Sequence, residues 1–249
     1  MKRIYPIAAL VLVLTVNFLA NYLPIGGRST SAISDAYISL FTPAGFTFSI
    51  WGIIYLFLIG YIIYQVLPQN RSNELLDKIN PLFIVNCVAN AAWIFTWHYD
   101  LLPLSLIVMS LILITLILIY RKIASSNSNS TWNTLFVYTP FSLYVGWITV
   151  ATIANISIIQ AAYGWNDVWL SEPEWTIIKL GLAGAIGAAM VLQQNNKVFG
   201  LVVAWASYGI FKNQMNASEI VGGAAGVVLV LILTTIVIDE INKLITGKS

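Results

Sequence analysis

The chain has 249 residues, of which 59% are apolar and 9% are charged, and its formal net charge is +2. Soluble domains carry about 25% charged residues, so the composition excludes an ordinary soluble domain and predicts an integral membrane protein. The small net charge, without runs of like charge, argues against nucleic-acid binding. Cys87 is the only cysteine and His98 the only histidine. An internal disulfide is therefore excluded, and a histidine-based metal site is not expected.

Eight apolar segments have the length of a membrane span or nearly so, since a helix needs about 20 residues to cross the bilayer. We therefore expect an all-α integral membrane protein. The first segment follows Lys2 and Arg3 as in a signal peptide, but its length and poor cleavage site favour a retained helix. The seventh is the shortest, and whether it crosses fully stays open. The segments are Ile4–Leu23, Phe46–Leu67, Pro81–Trp97, Leu101–Tyr120, Leu135–Ile159, Trp175–Leu192, Phe199–Phe211 and Ile220–Ile238.

Basic residues are distributed unequally between the two sides of an eight-span topology. Cytoplasmic loops of membrane proteins carry the excess of Lys and Arg, so the richer side is predicted to be cytoplasmic, with both termini on it. The other side holds Arg28, Lys179 and Lys212. The cytoplasmic side holds Lys2, Arg3, Arg71, Lys78, Arg121, Lys122, Lys197, Lys243 and Lys248.

The second span begins with a turn and carries two aromatic residues on one helical face. Pro43 and Gly45 form the turn, and Trp51 and Tyr55 follow at i and i+4 spacing. Tryptophan prefers the membrane interface, where its ring N–H stays hydrated. A tryptophan set inside a span therefore packs on something specific, which makes this segment a candidate wall of a binding site.

The third span carries a polar and aromatic stripe at i, i+4, i+7 and i+11. The stripe consists of Asn86, Asn90, Trp93 and Trp97. Polar residues within spans are expensive and mark candidate functional positions. Asparagine in a span also serves as hydrogen-bonding glue between helices, and tryptophan also fills space, so each residue alone favours packing.

A comparable stripe runs along the fifth span, which holds Tyr144, Trp147, Ala151 and Asn155. In the predicted topology the three stripes lie at a similar depth, in the middle and the non-cytoplasmic half of the bilayer. Their convergence leaves a shared intramembrane cavity and plain helix packing as equal alternatives on the residues alone.

Three motifs in order resemble the TspO/MBR family, the tryptophan-rich sensory proteins related to the mitochondrial translocator protein. They are the Pro–Phe–Trp–Tyr–Gly pattern of the second span, Asn90-Ala-Ala-Trp93, and Pro140 with Trp147 and Asn155. The resemblance covers residues 1–162 and implies a five-helix bundle. It also implies a pocket that accepts tetrapyrroles such as protoporphyrin IX, sterols or synthetic aromatic ligands. Carried over by position, the implied pocket walls are Trp51, Asn90, Trp93, Trp147 and Ala151, with Tyr55 and Asn155 as supporting positions. Tyr144 of the fifth-span stripe completes the candidate ligand-binding residues, and Pro43 and Gly45 form the candidate entrance turn.

The chain departs from the family pattern in two places. The family's Trp-x-Pro-Pro before the second span is here Phe41-Thr-Pro-Ala44, which puts the gating loop and the ligand in question. Residues 163–249 form an extension with about three further spans. Its small-residue pattern Gly222–Gly226 permits close helix packing, within the chain or in a homodimer.

The resemblance implies a sensor or carrier for a planar hydrophobic ligand, with the bilayer as the other partner and no required cofactor beyond a porphyrin as ligand. A small-solute transporter is one alternative, although buried charge for ion coupling is nearly absent. An enzyme that degrades porphyrin in light is another. The spans show no recognisable acid/base pair, metal cluster or nucleophile, which favours a non-enzymatic role. We expect a multi-pass protein of a prokaryotic cytoplasmic membrane.

Overall fold

The computed structural model describes residues 3–23, 25–37, 39–126 and 130–246. Within these ranges the chain forms nine α-helices, a few short 3-10 turns and no β-strand, so the predicted all-α fold is confirmed. The helices are α1 (Ile4–Tyr22), α2 (Thr30–Ala36), α3 (Ile50–Val66), α4 (Glu74–His98), α5 (Leu102–Ala124), α6 (Thr131–Ala162), α7 (Glu172–Gln194), α8 (Lys197–Gln214) and α9 (Glu219–Thr246).

Helices lie at all eight predicted segments, and six of the described helices are long and apolar enough to cross a membrane. These six are α3 together with its preceding 3-10 turn, α4, α5, α6, α7 and α9. The first helix contributes a shorter apolar stretch, Ile4–Ala20. Full crossings by α1 and α8 therefore stay predictions. The short helix α2 was not predicted, because it lies between two spans and carries no long apolar run.

The chain divides into two compact units. The first unit contains Met1–Ala36 and Ser49–Ile148, and the second contains Tyr37–Phe48 and Thr149–Ser249. The chain passes from the first unit to the second within α6. The domain boundary predicted after residue 162 was based on where the family resemblance ends. That boundary stays a prediction.

The first unit is built around α4, which packs against α1, α2 and α5. Its core holds a triad of aromatic rings, because Tyr61 meets the edges of Phe83 and Phe141 at centroid distances of 5.3 and 5.0 Å. The Tyr61 hydroxyl donates to Asn80 Oδ1 at 2.8 Å, so the one polar atom of this triad is satisfied inside the bundle.

Local signals explain the start of α4. Asn73 caps the helix by accepting the backbone N–H of Leu75 at 3.0 Å. Glu74 and Asp77 in the first turn place negative charge at the positive end of the helix dipole.

The start of α6 contains a π-helical segment, Thr134–Tyr138. Pro140 follows it and lacks the N–H that an α-helix would donate four residues back, so the regular ladder is interrupted here. The Thr139 hydroxyl donates to the Thr134 carbonyl at 2.9 Å, which satisfies one acceptor of the wider turn.

Ion pairs join chain segments at the two ends of α4. Arg3 pairs with Asp77 at 3.1 Å, so the start of α1 lies beside the start of α4. Arg28, which follows α1, pairs with Asp100, which follows α4. The two helices therefore run in the same direction, as the first and third of consecutive membrane crossings must.

In the second unit, α7, α8 and α9 pack against one another. Glycines make the close contacts: a Cβ at Gly187 would lie 2.9 Å from Ile232, and a Cβ at Gly200 would lie 2.6 Å from Val191. The small residues of this region thus serve packing within the chain. Lys197 pairs with Asp239 at 3.7 Å, which joins the start of α8 to the last turns of α9.

Candidate functional site

An aromatic cluster in the first unit is centred on Trp51 of α3. Tyr55 lies one turn further along the same helix, and its ring stacks on Trp51 at a centroid distance of 5.4 Å. Tyr144 and Trp147 of α6 meet Trp51 edge-on at 5.7 and 6.4 Å. The predicted stripes of the second and fifth spans therefore meet through Trp51, which is itself only half-buried.

Asn90 of α4 supplies the polar part of the cluster. Its Nδ2 donates to the Tyr144 hydroxyl at 2.6 Å, and its Oδ1 accepts from Asn17 Nδ2 at 2.9 Å. Asn90 is 1% exposed and Tyr144 is 2% exposed, so these bonds lie away from solvent. Three helices, α1, α4 and α6, thus hold one hydrogen-bonded chain. Asn17 was not predicted; the available signal was an asparagine inside the first span.

The Tyr55 hydroxyl is buried beside Asn90 and Tyr144. It has no hydrogen bond of good geometry to the described part of the chain. A buried hydroxyl usually finds a partner, and one left without a good bond costs about 1–3 kcal/mol. Tyr55 is therefore the group in this cluster best placed to bond a polar atom of a ligand.

Trp93 lies one turn along α4 from Asn90 and stacks on Trp97 at a centroid distance of 5.3 Å. Its ring nitrogen is buried and has no hydrogen-bond partner within the described ranges. The Trp97 ring nitrogen donates to the Thr30 carbonyl at 3.1 Å. His98 holds the same region, with Nδ1 2.8 Å from the Ile25 carbonyl and Nε2 3.1 Å from the Thr30 hydroxyl.

Four predicted site residues belong to the second unit. Asn155 is 2% exposed and Ala151 is half-buried, and both lie in the last half of α6. Pro43 is buried and Gly45 is exposed in the segment that precedes α3. The first unit brings together Trp51, Tyr55, Asn90, Tyr144 and Trp147.

Hydrogen bonds hold the predicted entrance turn against α8. We name residues 39–47 the docking segment. Its Ala44 N–H donates to the Gly209 carbonyl at 3.0 Å, and its Thr47 carbonyl accepts the Trp205 ring N–H at 3.0 Å. A Cβ at Gly209 would overlap the Thr47 side chain, so glycine is what allows this approach.

Further bonds hold the remainder of the docking segment. The Thr42 carbonyl accepts from the side-chain amides of Asn213 at 3.0 Å and Gln214 at 3.2 Å. The Leu40 N–H donates to Glu172 Oε1 at 2.9 Å, at the start of α7. Helices of the predicted extension therefore hold the turn that leads into α3, a role that sequence reasoning did not foresee.

Clusters of metal-ligating side chains are absent from the described ranges. No group of three or more His, Cys, Asp or Glu residues there lies close enough together to hold an ion.

A family model described as TSPO-like protein matches residues 3–238. The chain belongs to the TSPO-like family. The membership confirms the resemblance to the TspO/MBR family and, with the apolar helices, makes this TSPO-like protein an integral multi-pass membrane protein. The match includes α7, α8 and most of α9, which the resemblance had left outside. Comparisons with curated proteins and with solved structures gave no match.

Proposed function

We propose that this TSPO-like protein binds a planar hydrophobic ligand, a tetrapyrrole or a sterol-like molecule, at the aromatic cluster around Trp51, and that it acts as a sensor or carrier of that ligand. The proposal rests on the ring contacts of Trp51. They join it to Tyr55 on its own helix and to Tyr144 and Trp147 on α6. Family membership supports it.

The chemistry of the cluster suits such a ligand. Indole and phenol faces stack on a flat apolar ring system, and a few placed polar groups fix its orientation. Asn90 is held by Asn17 and Tyr144, whereas the Tyr55 hydroxyl has spare hydrogen-bonding capacity. Because the rings already contact one another, a ligand binds by displacing Trp51, the half-buried member, from part of its stack.

The deciding experiment separates binding from packing. Tyr55→Phe removes only a buried hydroxyl that lacks a good protein partner, so the melting temperature should not fall. Protoporphyrin IX affinity should fall about fivefold, the value of one hydrogen bond of about 1 kcal/mol. Binding is followed by the absorbance of the porphyrin in detergent, and Tyr99→Phe, at an exposed tyrosine of the same unit, is the matched control.

A second variant tests the aromatic wall. Trp147→Ala should weaken protoporphyrin IX binding at least tenfold, whereas Trp165→Ala, at an exposed tryptophan, should leave it unchanged. Equal affinity in wild type, Tyr55→Phe and Trp147→Ala would mean that the cluster serves packing alone. Loss of the porphyrin spectrum under light would favour the enzymatic alternative, and solute uptake into proteoliposomes without porphyrin binding would favour the transporter.

We also propose that the protein lies in a prokaryotic cytoplasmic membrane with both termini on the cytoplasmic side. The excess of Lys and Arg on that side supports the orientation.

A further inference from the structure

A cleft lies in the first unit, between the end of α3 and the start of α6. Its volume is about 650 Å³, within the range of small-molecule sites, and it is partly open to the surroundings. Because it lies at helix ends, it opens near one surface of the membrane. It is lined by Gly60, Ile63, Tyr64, Leu67, Gln69, Asn70, Ser130, Trp132 and Phe136.

Three parallel aromatic rings form one wall of this cleft. Trp132 stacks on Phe136 with centroids 5.8 Å apart and planes 3° apart. Phe136 in turn stacks on Tyr64 at 5.7 Å and 19°. Gly60 lets α3 approach, since a Cβ there would lie 3.0 Å from Phe136 Cδ1. Because these rings turn their faces to one another, the face left free to stack on a bound ring is that of Trp132 at the outer end, which is 63% exposed.

The wall depends on the irregular start of α6. Phe136 lies in the middle of the π-helical segment Thr134–Tyr138, where the helix is wider than an α-helix. Single π-helical turns inside α-helices occur frequently at functional sites. Pro140 accounts for the distortion itself, but an interfacial tryptophan that only anchors the helix does not need a concave surface beside it.

The polar residues of the described lining are uncharged. Asn70 Nδ2 is already used, because it donates to the Tyr64 carbonyl at 2.7 Å. Gln69 and Ser130 are exposed and bring an amide and a hydroxyl to the lining. Arg3 donates to the Asn70 carbonyl but is paired with Asp77, so its charge is compensated. The lining residues thus offer hydrogen-bond donors without a cation for a phosphate or a carboxylate.

Buried polar atoms without hydrogen-bond partners belong to residues that are adjacent in sequence to residues of the cleft. Gln65, adjacent to Tyr64, is fully buried, and both polar atoms of its side chain lack a partner among the described residues. Asn133, adjacent to Trp132, has a buried Oδ1 in the same condition. Buried amides of this kind normally have partners, but neither side chain belongs to the lining of the cleft, so the proposed site does not use them.

We propose that this cleft binds an uncharged planar ring that carries hydrogen-bond-accepting oxygens and an apolar tail, which is the chemistry of a membrane quinone. The ring stacks on the outer face of Trp132, at the end of the Trp132–Phe136–Tyr64 wall, and its oxygens accept from Gln69 and Ser130. The tail lies along Ile63 and Leu67 toward the lipid. Phospholipid headgroups and porphyrin carboxylates are disfavoured because the described residues of the lining include no cation. The site is separate from the Trp51 cluster.

The test measures binding of ubiquinone-1 to the full chain in phosphatidylcholine nanodiscs, by ultrafiltration and quinone absorbance. Ile63→Trp fills the cleft from an exposed position of α3, and Trp132→Ala removes the outer end of the wall. Each should weaken saturable binding at least tenfold. Ile59→Trp, one turn earlier on α3 at another exposed isoleucine, and Trp165→Ala are the matched controls and should stay within twofold of wild type.

Other measurements separate this site from the proposed porphyrin site and from a simple lipid groove. Protoporphyrin IX affinity should be unchanged in Ile63→Trp, and ubiquinone-1 affinity should be unchanged in Tyr55→Phe. Equal quinone binding by wild type and Ile63→Trp would overturn the proposal. Displacement of the quinone by phosphatidylglycerol in the nanodisc would also overturn it, because the cleft would then be an ordinary lipid site.

Discussion

Asn90 is the residue through which α1, α4 and α6 are connected by side-chain hydrogen bonds. It accepts from Asn17 and donates to Tyr144, and its burial keeps both bonds away from water. Asn17 is also tied to its own helix, since its Nδ2 donates to the Val13 carbonyl at 2.9 Å. The bonds of Asn90 hold the Tyr144 ring where it meets Trp51. One amide therefore sets both the packing of three helices and the shape of the aromatic cluster.

The first stability prediction follows from this hydrogen-bonded chain. Tyr144→Phe keeps the ring and removes the hydroxyl acceptor of Asn90. We expect a loss of about 1 kcal/mol of unfolding free energy, since hydrogen bonds between membrane helices are worth about 0.6 to 1.7 kcal/mol. Thermal unfolding in detergent measures it. Tyr22→Phe, at a tyrosine 71% exposed, should leave the melting temperature unchanged. A similar loss in both variants would contradict this role of Asn90.

At the scale of single residues, sequence reasoning found those with a local signature. The i, i+4 spacing of Trp51 and Tyr55 predicted that they share a helical face, and the structure stacks them. Asn17 was missed although Asn21 follows it at i+4 in the first span, because no aromatic residue of a stripe accompanied the pair in the sequence reasoning. Trp132 and Phe136 have the same i, i+4 spacing, but they were missed because Trp132 lies before the predicted fifth span, Leu135–Ile159.

At the scale of elements, the docking segment and α8 form one structural feature built from residues far apart in the chain. The hydrogen bonds join positions up to 172 residues apart, from Thr42 to Gln214. Local hydropathy predicted the helices themselves but could not show which helix would hold the turn. The complementary fit of Gly209 and Thr47 depends on tertiary approach, which spacing along the sequence does not encode.

Gly209 gives the sharpest test of this docking. A methyl group at Gly209 would overlap Thr47, so Gly209→Ala should push the docking segment away from α8. We expect amide hydrogen exchange of Ala44, whose N–H bonds the Gly209 carbonyl, to accelerate at least tenfold. Gly181→Ala, at a helical glycine with open space around it, is the control and should leave this exchange unchanged. Equal protection in both variants would show that the segment tolerates the added methyl.

At the scale of the whole molecule, alternation of helix direction can be checked inside each unit. Arg3 with Asp77 marks one end of the first unit, and Arg28 with Asp100 marks the other. In the second unit, Lys197 with Asp239 joins the start of α8 to the end of α9. The helix directions that these ion pairs require agree with consecutive membrane crossings. Which end of each helix faces the cytoplasm is predicted only from the distribution of Lys and Arg.

Labelling of introduced cysteines tests the orientation. The native Cys87 is buried, which keeps the background low. In intact cells a membrane-impermeant maleimide should label Asp167→Cys, predicted outside, and not Ser125→Cys, predicted inside; both positions are exposed. After the membrane is permeabilised, both should react. If only Ser125→Cys were labelled in intact cells, the protein would have the opposite orientation to the one predicted.

The distance along the chain between the docking segment and α8 also has a consequence in time. Ribosomes add about 5–20 residues per second, so the 171 residues between Thr42 and Asn213 separate the synthesis of the two partners by about 10–30 s. During this interval the Thr42 carbonyl must bond to water or to the insertion machinery. The turn therefore reaches its final hydrogen bonds only when nearly the whole protein has been made.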